Sequence, residues 1–112
     1  MRIAASLPVR QHGRHLVITL PAEIDVCNRD EILDQLLPLL NSGPGSLVLD
    51  MSDTTFCDSA GVNLLIRIRH RARLLKRDVC VVAPHGAVRR VFEICGLDRA
   101  LKIHRDPAGL PS

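Results

Sequence analysis

Apolar residues change their spacing several times along this chain, and each change predicts an element. Val9 to His12 and His15 to Leu20 are two short runs separated by Gly13-Arg14, the arrangement of a β-hairpin. Leu16, Ile18 and Leu20 then face one side and Val17 and Thr19 the other, the period of a β-hairpin. Asn28, followed three residues later by Glu31, makes a capping-box-like start for a helix that turns Ile32, Leu33, Leu36, Leu37 and Leu40 inward. Pro38 removes one backbone bond there and should kink the last turn or end the helix early. Asn41-Ser42-Gly43-Pro44-Gly45 turns the chain into Leu47-Val48-Leu49, an unbroken apolar run that reads as a strand buried on both faces. A second helix is expected from about Ser59 to Lys76, another buried strand from Val79 to Ala83, and a third helix from Ala87 to Cys95 closed by Gly96. Leu101-Lys102-Ile103 adds an edge strand or a short helical turn, and Pro107 to Ser112 reads as a frayed tail. Strands alternating with helices through short loops imply an α/β fold with a parallel or mixed sheet and right-handed crossovers.

The strand-to-helix passage from Leu47 to Gly61 is the richest in chemistry. An apolar run breaks at Asp50 into a polar loop and ends on a serine where helical spacing begins. Asp58 or Ser59 can accept a hydrogen bond from the free amides of the first turn, and Gly61 lets the backbone pass close to a neighbour. At 100° per residue, Leu65, Ile68, Ala72 and Leu75 share one face of this helix. Ser59, Asn63, Ile66, His70, Arg73 and Arg77 share roughly the opposite one, with Val62 close by. Ser59 is therefore expected to display its hydroxyl on an exposed stripe in which Ile66 and Val62 are apolar, the composition of a protein-binding surface.

Composition narrows the function classes. A chain of 112 residues is expected to form one domain with a single core. It has no run of 18 or more apolar residues, and its N-terminus is too short in its apolar part for a signal peptide, so a cytoplasmic protein without membrane contact is expected. The formal net charge is +3, and Phe56 and Phe92 are the only aromatic residues apart from histidine, which gives direct nucleic-acid binding little support. Arg67, Arg69, His70, Arg71, Arg73, Lys76 and Arg77 all lie along the second predicted helix and read as its solvated surface. Cys27, Cys57, Cys80 and Cys95 lack Cys-x-x-Cys spacing or paired histidines, so neither a metal nor a disulfide framework is indicated. Cys80 and Cys95 read as core thiols, and Cys27 and Cys57 as reduced thiols.

As a nucleophile Ser59 would need a base and an oxyanion hole. The sequence around it is Cys-Asp-Ser-Ala-Gly and not Gly-x-Ser-x-Gly, no histidine stands in a recognisable partner motif, and Asp58 would oppose a developing oxyanion. A catalytic role is not expected, nor is a cofactor. As a structural residue Ser59 would be a plain N-cap.

Leu49, Asp50, Phe56, Asp58, Ser59 and Gly61, followed by Val62 and Leu65, resemble the signature of the STAS domain, specifically that of bacterial anti-sigma factor antagonists. Leu20-Pro21-Ala22-Glu23-Ile24-Asp25 is similar to the Gly-Glu-Leu/Ile-Asp segment that ends the family's second strand, with Ala22 in place of the usual glycine. The resemblance covers residues 9 to 104, within a single domain spanning 1–112. It implies a small mixed, largely parallel sheet with helices packed mainly on one face, and Cys27 and Cys57 in loops at the same end of it. It also implies that Ser59 is phosphorylated by an anti-sigma factor that is a serine kinase, and is restored by a phosphoserine phosphatase. Only the unphosphorylated form would bind that kinase and free the sigma factor, through Asp25, Asp58, Ser59, Val62, Asn63, Ile66 and His70. Asp25 and Asp58 are the candidates for orienting the hydroxyl or shaping the contact, although a loop carboxylate also serves as a turn or cap residue. The alternative is a STAS subunit of a lipid or anion transport complex, a structural partner of an ATPase. A nucleotide-binding sensory domain has less support, because Gly43-Pro44-Gly45 lies between a helix and a strand and does not open a helix.

Overall fold

The hairpin expected around Gly13-Arg14 forms. β1 (Val9–His12) and β2 (His15–Thr19) pair antiparallel with His12 opposite His15, while Leu20, expected to end β2, lies just beyond it and is buried. The computed structural model describes residues 6–42, 45–82, 84 and 86–105. The tail expected over 107–112 lies outside them, as does Ala83 at the expected end of the second buried strand.

After β3 (Glu23–Ile24) comes α1 (Arg29–Asn41), then β4 (Ser46–Asp50), β5 (Phe56–Cys57) and α2 (Ser59–Leu74). β6 (Val79–Val82), α3 (Gly86–Cys95), α4 (Leu97–Ala100) and β7 (Lys102–His104) complete the order. Five strands form one sheet in the order β1-β2-β4-β6-β7, in which every pair but β1–β2 is parallel. β3 and β5 form a separate parallel pair.

Period-two alternation splits the large sheet into two faces. Ile18, Leu47, Leu49 and Val81 enter one core with Ile32, Leu36 and Leu40 of α1, Leu65 and Ile68 of α2, Phe92 of α3 and Leu97 of α4. Val17, Val48 and Val82 form a smaller cluster on the other face, so the helices pack against one face of the sheet. Each fully buried aliphatic side chain contributes on the order of 1.5–3 kcal/mol, and this single apolar layer holds every helix in place.

Three local expectations change. The capping box of α1 does not form: Asn28 occupies the N-cap without a side-chain cap bond, because its amide is drawn into the preceding turn. α1 runs through Pro38 to Asn41, since Leu40 is fully buried and the Pro38 carbonyl still accepts from the Ser42 amide. α2 stops at Leu74 and not Lys76. There Arg77 N–H bonds Ala72 O at 2.8 Å and Lys76 N–H bonds Arg73 O at 3.1 Å, a Schellman closure with Lys76 left-handed at φ 56°.

Candidate functional site

β4 delivers the chain to the edge of the core, and the loop after it is tied down bond by bond. Thr54 is buried, and its hydroxyl donates to Pro21 O at 2.8 Å. The amides of Thr55 and Phe56 donate to Ala22 O at 2.8 and 3.2 Å. Ala22 holds this role without a positive φ, as Lys76 is the one non-glycine residue described with one, so the bend needs no glycine at that position. Glu23 and Ile24 then pair with Phe56 and Cys57. Asp25 and Asp58, each the next residue along a parallel pair, come to the same end, and Asp58 N–H donates to Ile24 O at 3.3 Å.

The N-cap of α2 is Asp58. Its Oδ1 accepts from the amides of Ala60 at 2.9 Å and Gly61 at 3.3 Å. This settles the capping alternative in favour of the aspartate and removes the plain N-cap reading of Ser59. Ser59 is the first residue of α2, it is exposed, and among the described residues its hydroxyl makes no hydrogen bond. Gly61 is where the helix meets the β3–β5 pair. A Cβ there would lie 2.4 Å from Cys57 Sγ and 3.0 Å from Ile24 Cγ2, too close for any side chain without a shift.

Asp25 is equally committed to local structure. Its Oδ1 accepts from Cys27 N–H at 2.8 Å and its carbonyl accepts from Arg29 N–H at 3.0 Å, so it shapes the turn into α1. Neither aspartate is hydrogen-bonded to the Ser59 hydroxyl, so an orienting role has no direct contact behind it. Asn63, Ile66 and His70 are exposed on α2, as the helical wheel places them. Val62 is not: it is 6% exposed and belongs to the core, which withdraws it from the set of surface residues. Arg77 is likewise absent from the exposed stripe. Its guanidinium donates to the carbonyls of Leu39, Leu40, Ser42 and Gly45 at 2.6–3.1 Å, fastening the end of α1.

Cys27 is exposed and Cys57 buried on the β3–β5 side of the site, and among the described residues neither forms a disulfide. Burial, and then the Asp58 carboxylate beside it, push the Cys57 thiol up to about 11 from 9.0. Cys95, expected in the core, is exposed on α3. Cys80 is half-buried on the second face of the sheet.

Sequence reasoning passed over two residues of the site's surface. Val26 is 66% exposed in the turn after Asp25, and Phe56 is 48% exposed two residues before Asp58. The available signal was a large apolar side chain inside each otherwise polar loop. Among the described residues no histidine is hydrogen-bonded to Ser59, no cluster of three His, Cys, Asp or Glu could hold a metal, and no helix is long and apolar enough to cross a membrane.

A family model for the STAS domain matches residues 6–109. The fold is shared with an anti-sigma factor antagonist from Mycobacterium paratuberculosis, at 24% identity and TM-score 0.82 over 91% of this chain and 86% of that one. An anti-sigma-factor antagonist (STAS) domain protein from Planctomyces limnophilus gives 16% identity and TM-score 0.82 over 95% of this chain and 94% of that one. The anti-sigma factor antagonist SpoIIAA of Bacillus, in its unphosphorylated form, gives 20% identity and TM-score 0.75 over 91% and 90%. Its phosphorylated form gives 19% identity and TM-score 0.68 over 91% and 94%.

Proposed function

The chain belongs to the STAS domain family, and on that premise we propose that it is an anti-sigma factor antagonist whose binding is switched at Ser59. Unphosphorylated, it binds an anti-sigma factor that is a serine kinase, and the sigma factor is released to direct transcription. Phosphorylation of Ser59 by that kinase ends the interaction, and a phosphoserine phosphatase restores it. The observation that carries this reading is the division of labour at the start of α2: Asp58 caps the helix, which leaves the Ser59 hydroxyl exposed and unbonded.

The electrostatics of the position suit a switch. A phosphoserine adds about −1.5 to −2 charges, and a helix N-terminus tolerates such an anion through its dipole. The fold should therefore survive modification while the surface changes. A dianion would stand beside Asp58 and near Asp25, at the β3–β5 pair whose strands and following turn expose the apolar side chains of Phe56 and Val26. A partner that desolvates those side chains meets concentrated negative charge, and like-charge juxtaposition costs several kcal/mol, with each ~1.4 kcal/mol a factor of ten in affinity. Incubation with the cognate kinase and ATP should add one phosphate per chain by mass spectrometry, and none to Ser59→Ala. Phosphorylation that persists in that variant refutes the site.

A further inference from the structure

The groove between α1 and α2 is built unlike the loops around Ser59. Leu33 and Leu37 of α1 and Ile66 and Leu74 of α2 give it apolar walls around about 520 Å³. Ile66 is 47% and Leu74 64% exposed, while Leu64, Leu65 and Ile68 on the same helix are buried. Ile66, His70 and Leu74 stand four residues apart, so the two aliphatic side chains lie on one stripe about 12 Å apart along the axis. That spacing matches the anchor positions of a helix laid into a groove.

The rim beside this stripe is cationic. Arg67, His70 and Arg71 line it, Arg73 is exposed nearby, and among the described residues no Asp or Glu lines the groove. Two other cations of this segment are committed elsewhere, Arg69 to Ala100 O and Arg77 to the last carbonyls of α1. Among the described residues no carboxylate pairs with Arg67, Arg71 or Arg73. Asn41 Oδ1 accepts from Arg71 Nε at 3.4 Å, which sets the two helices C-terminus beside C-terminus. Asp30 and Glu31 fall in the first turn of α1, at the other end, and Asp34 is exposed near the middle of the helix, next to Leu33.

We infer that this groove docks an acidic amphipathic helix of a partner protein, its apolar stripe on Leu37, Ile66 and Leu74 and its carboxylates against Arg67, His70 and Arg71. The inference rests on reading the chain as a protein-binding module, but not on Ser59, which lies about 10 Å before Ile66 along α2. A nucleic acid would use the cations and leave Ile66 and Leu74 wet, so the apolar stripe favours a protein.

The test is a titration of isotope-labelled full chain, followed by NMR, with three synthetic helical peptides. One carries Leu at stripe spacing and Glu elsewhere, one has Lys for every Glu, and one has Ser for every Leu. The first should move the amides of Leu37, Ile66, His70 and Leu74, and the other two should not. Arg67→Glu with Arg71→Glu should weaken binding at least about tenfold, equivalent to about 1.4 kcal/mol, and Leu74→Asp should abolish it. These side chains are exposed, so circular dichroism should show folded variants. Ser59→Asp should bind the peptide as the wild type does, whatever the fate of the phosphorylation switch. Equal binding of the Lys peptide, shifts confined to other residues, or no shift with the Glu peptide overturns the inference. So does a single-stranded oligonucleotide that moves the same amides, or a concentration dependence showing a second copy in the groove.

Discussion

Asp58 and Ser59 are adjacent, yet replacing them should have opposite consequences. Asp58→Ala strands the amides of Ala60 and Gly61 and should cost about 1 kcal/mol in urea unfolding. Ser59→Ala and Ser59→Asp remove no described hydrogen bond, so the melting temperature should stay within a few degrees in both, while Ser59→Asp weakens partner binding. Unfolding of Ser59→Asp would make the serine structural. Cys57 supplies a second residue-scale prediction. Below pH 9 the folded and unfolded chains both hold its proton, and the thiol gives stability no pH dependence. Between about 9 and about 11 the unfolded chain releases the proton and the folded chain keeps it, so stability falls as pH rises. Urea midpoints on either side of pH 9 should show that fall, and Cys57→Ala should shrink it. Cys80, whose thiol is also raised by burial, leaves a residual slope of the same sign.

At the scale of elements, the weak points are helix ends. α1 presents its last carbonyls to Arg77, a planar fork whose bonds to Leu39, Leu40, Ser42 and Gly45 satisfy acceptors that no helix amide reaches. Hydrogen bonds to a charged group contribute about 1.5–3 kcal/mol, so Arg77→Ala should lower stability by roughly that much and Arg77→Lys should recover only part of it. The α2 terminus points the other way. Lys76 holds the left-handed position of the Schellman closure, where glycine carries no Cβ penalty, and Lys76→Gly should raise stability by up to about 1 kcal/mol. Denaturant unfolding of the three variants checks both statements. These two termini also show why the wheel misplaced Arg77. The helical spacing of α2 runs on in the sequence past the residue where the backbone turns, and the turn is what sends Arg77 toward α1. Val62 misled for a different reason: it sits 40° from Ile66 on the wheel, and only the packing of the β3–β5 pair against α2 decides which side of the buried boundary it takes.

For the molecule as a whole, the layered fold was legible because β2, β4 and β6 carry a two-faced or unbroken apolar signal, whereas β1 is exposed throughout and β7 reads equally as an edge strand or a helical turn. Leu47-Val48-Leu49 is the clearest case, buried on both faces at the centre of the sheet. β3 and β5 were not legible in the sequence, since two-residue strands carry no period and the resemblance read residues 20–25 as the end of the second strand. The start of α2 was readable as a display site, but the choice of Asp58 over Ser59 as its cap depends on backbone geometry that spacing does not encode. Val26 and Phe56 were not read as surface residues for a related reason, Phe56 having entered only as part of the signature: an apolar residue in an irregular stretch signals its environment only once that stretch is placed. Ser59 thus stands where β5 passes into α2, and the cationic groove lies further along the same helix. The most direct measurement is the affinity of the cognate anti-sigma factor kinase for this chain, by titration calorimetry, with Ser59 free and with Ser59 phosphorylated. The switch predicts binding at least about tenfold weaker for the phosphorylated chain. Equal or tighter binding after phosphorylation would contradict it.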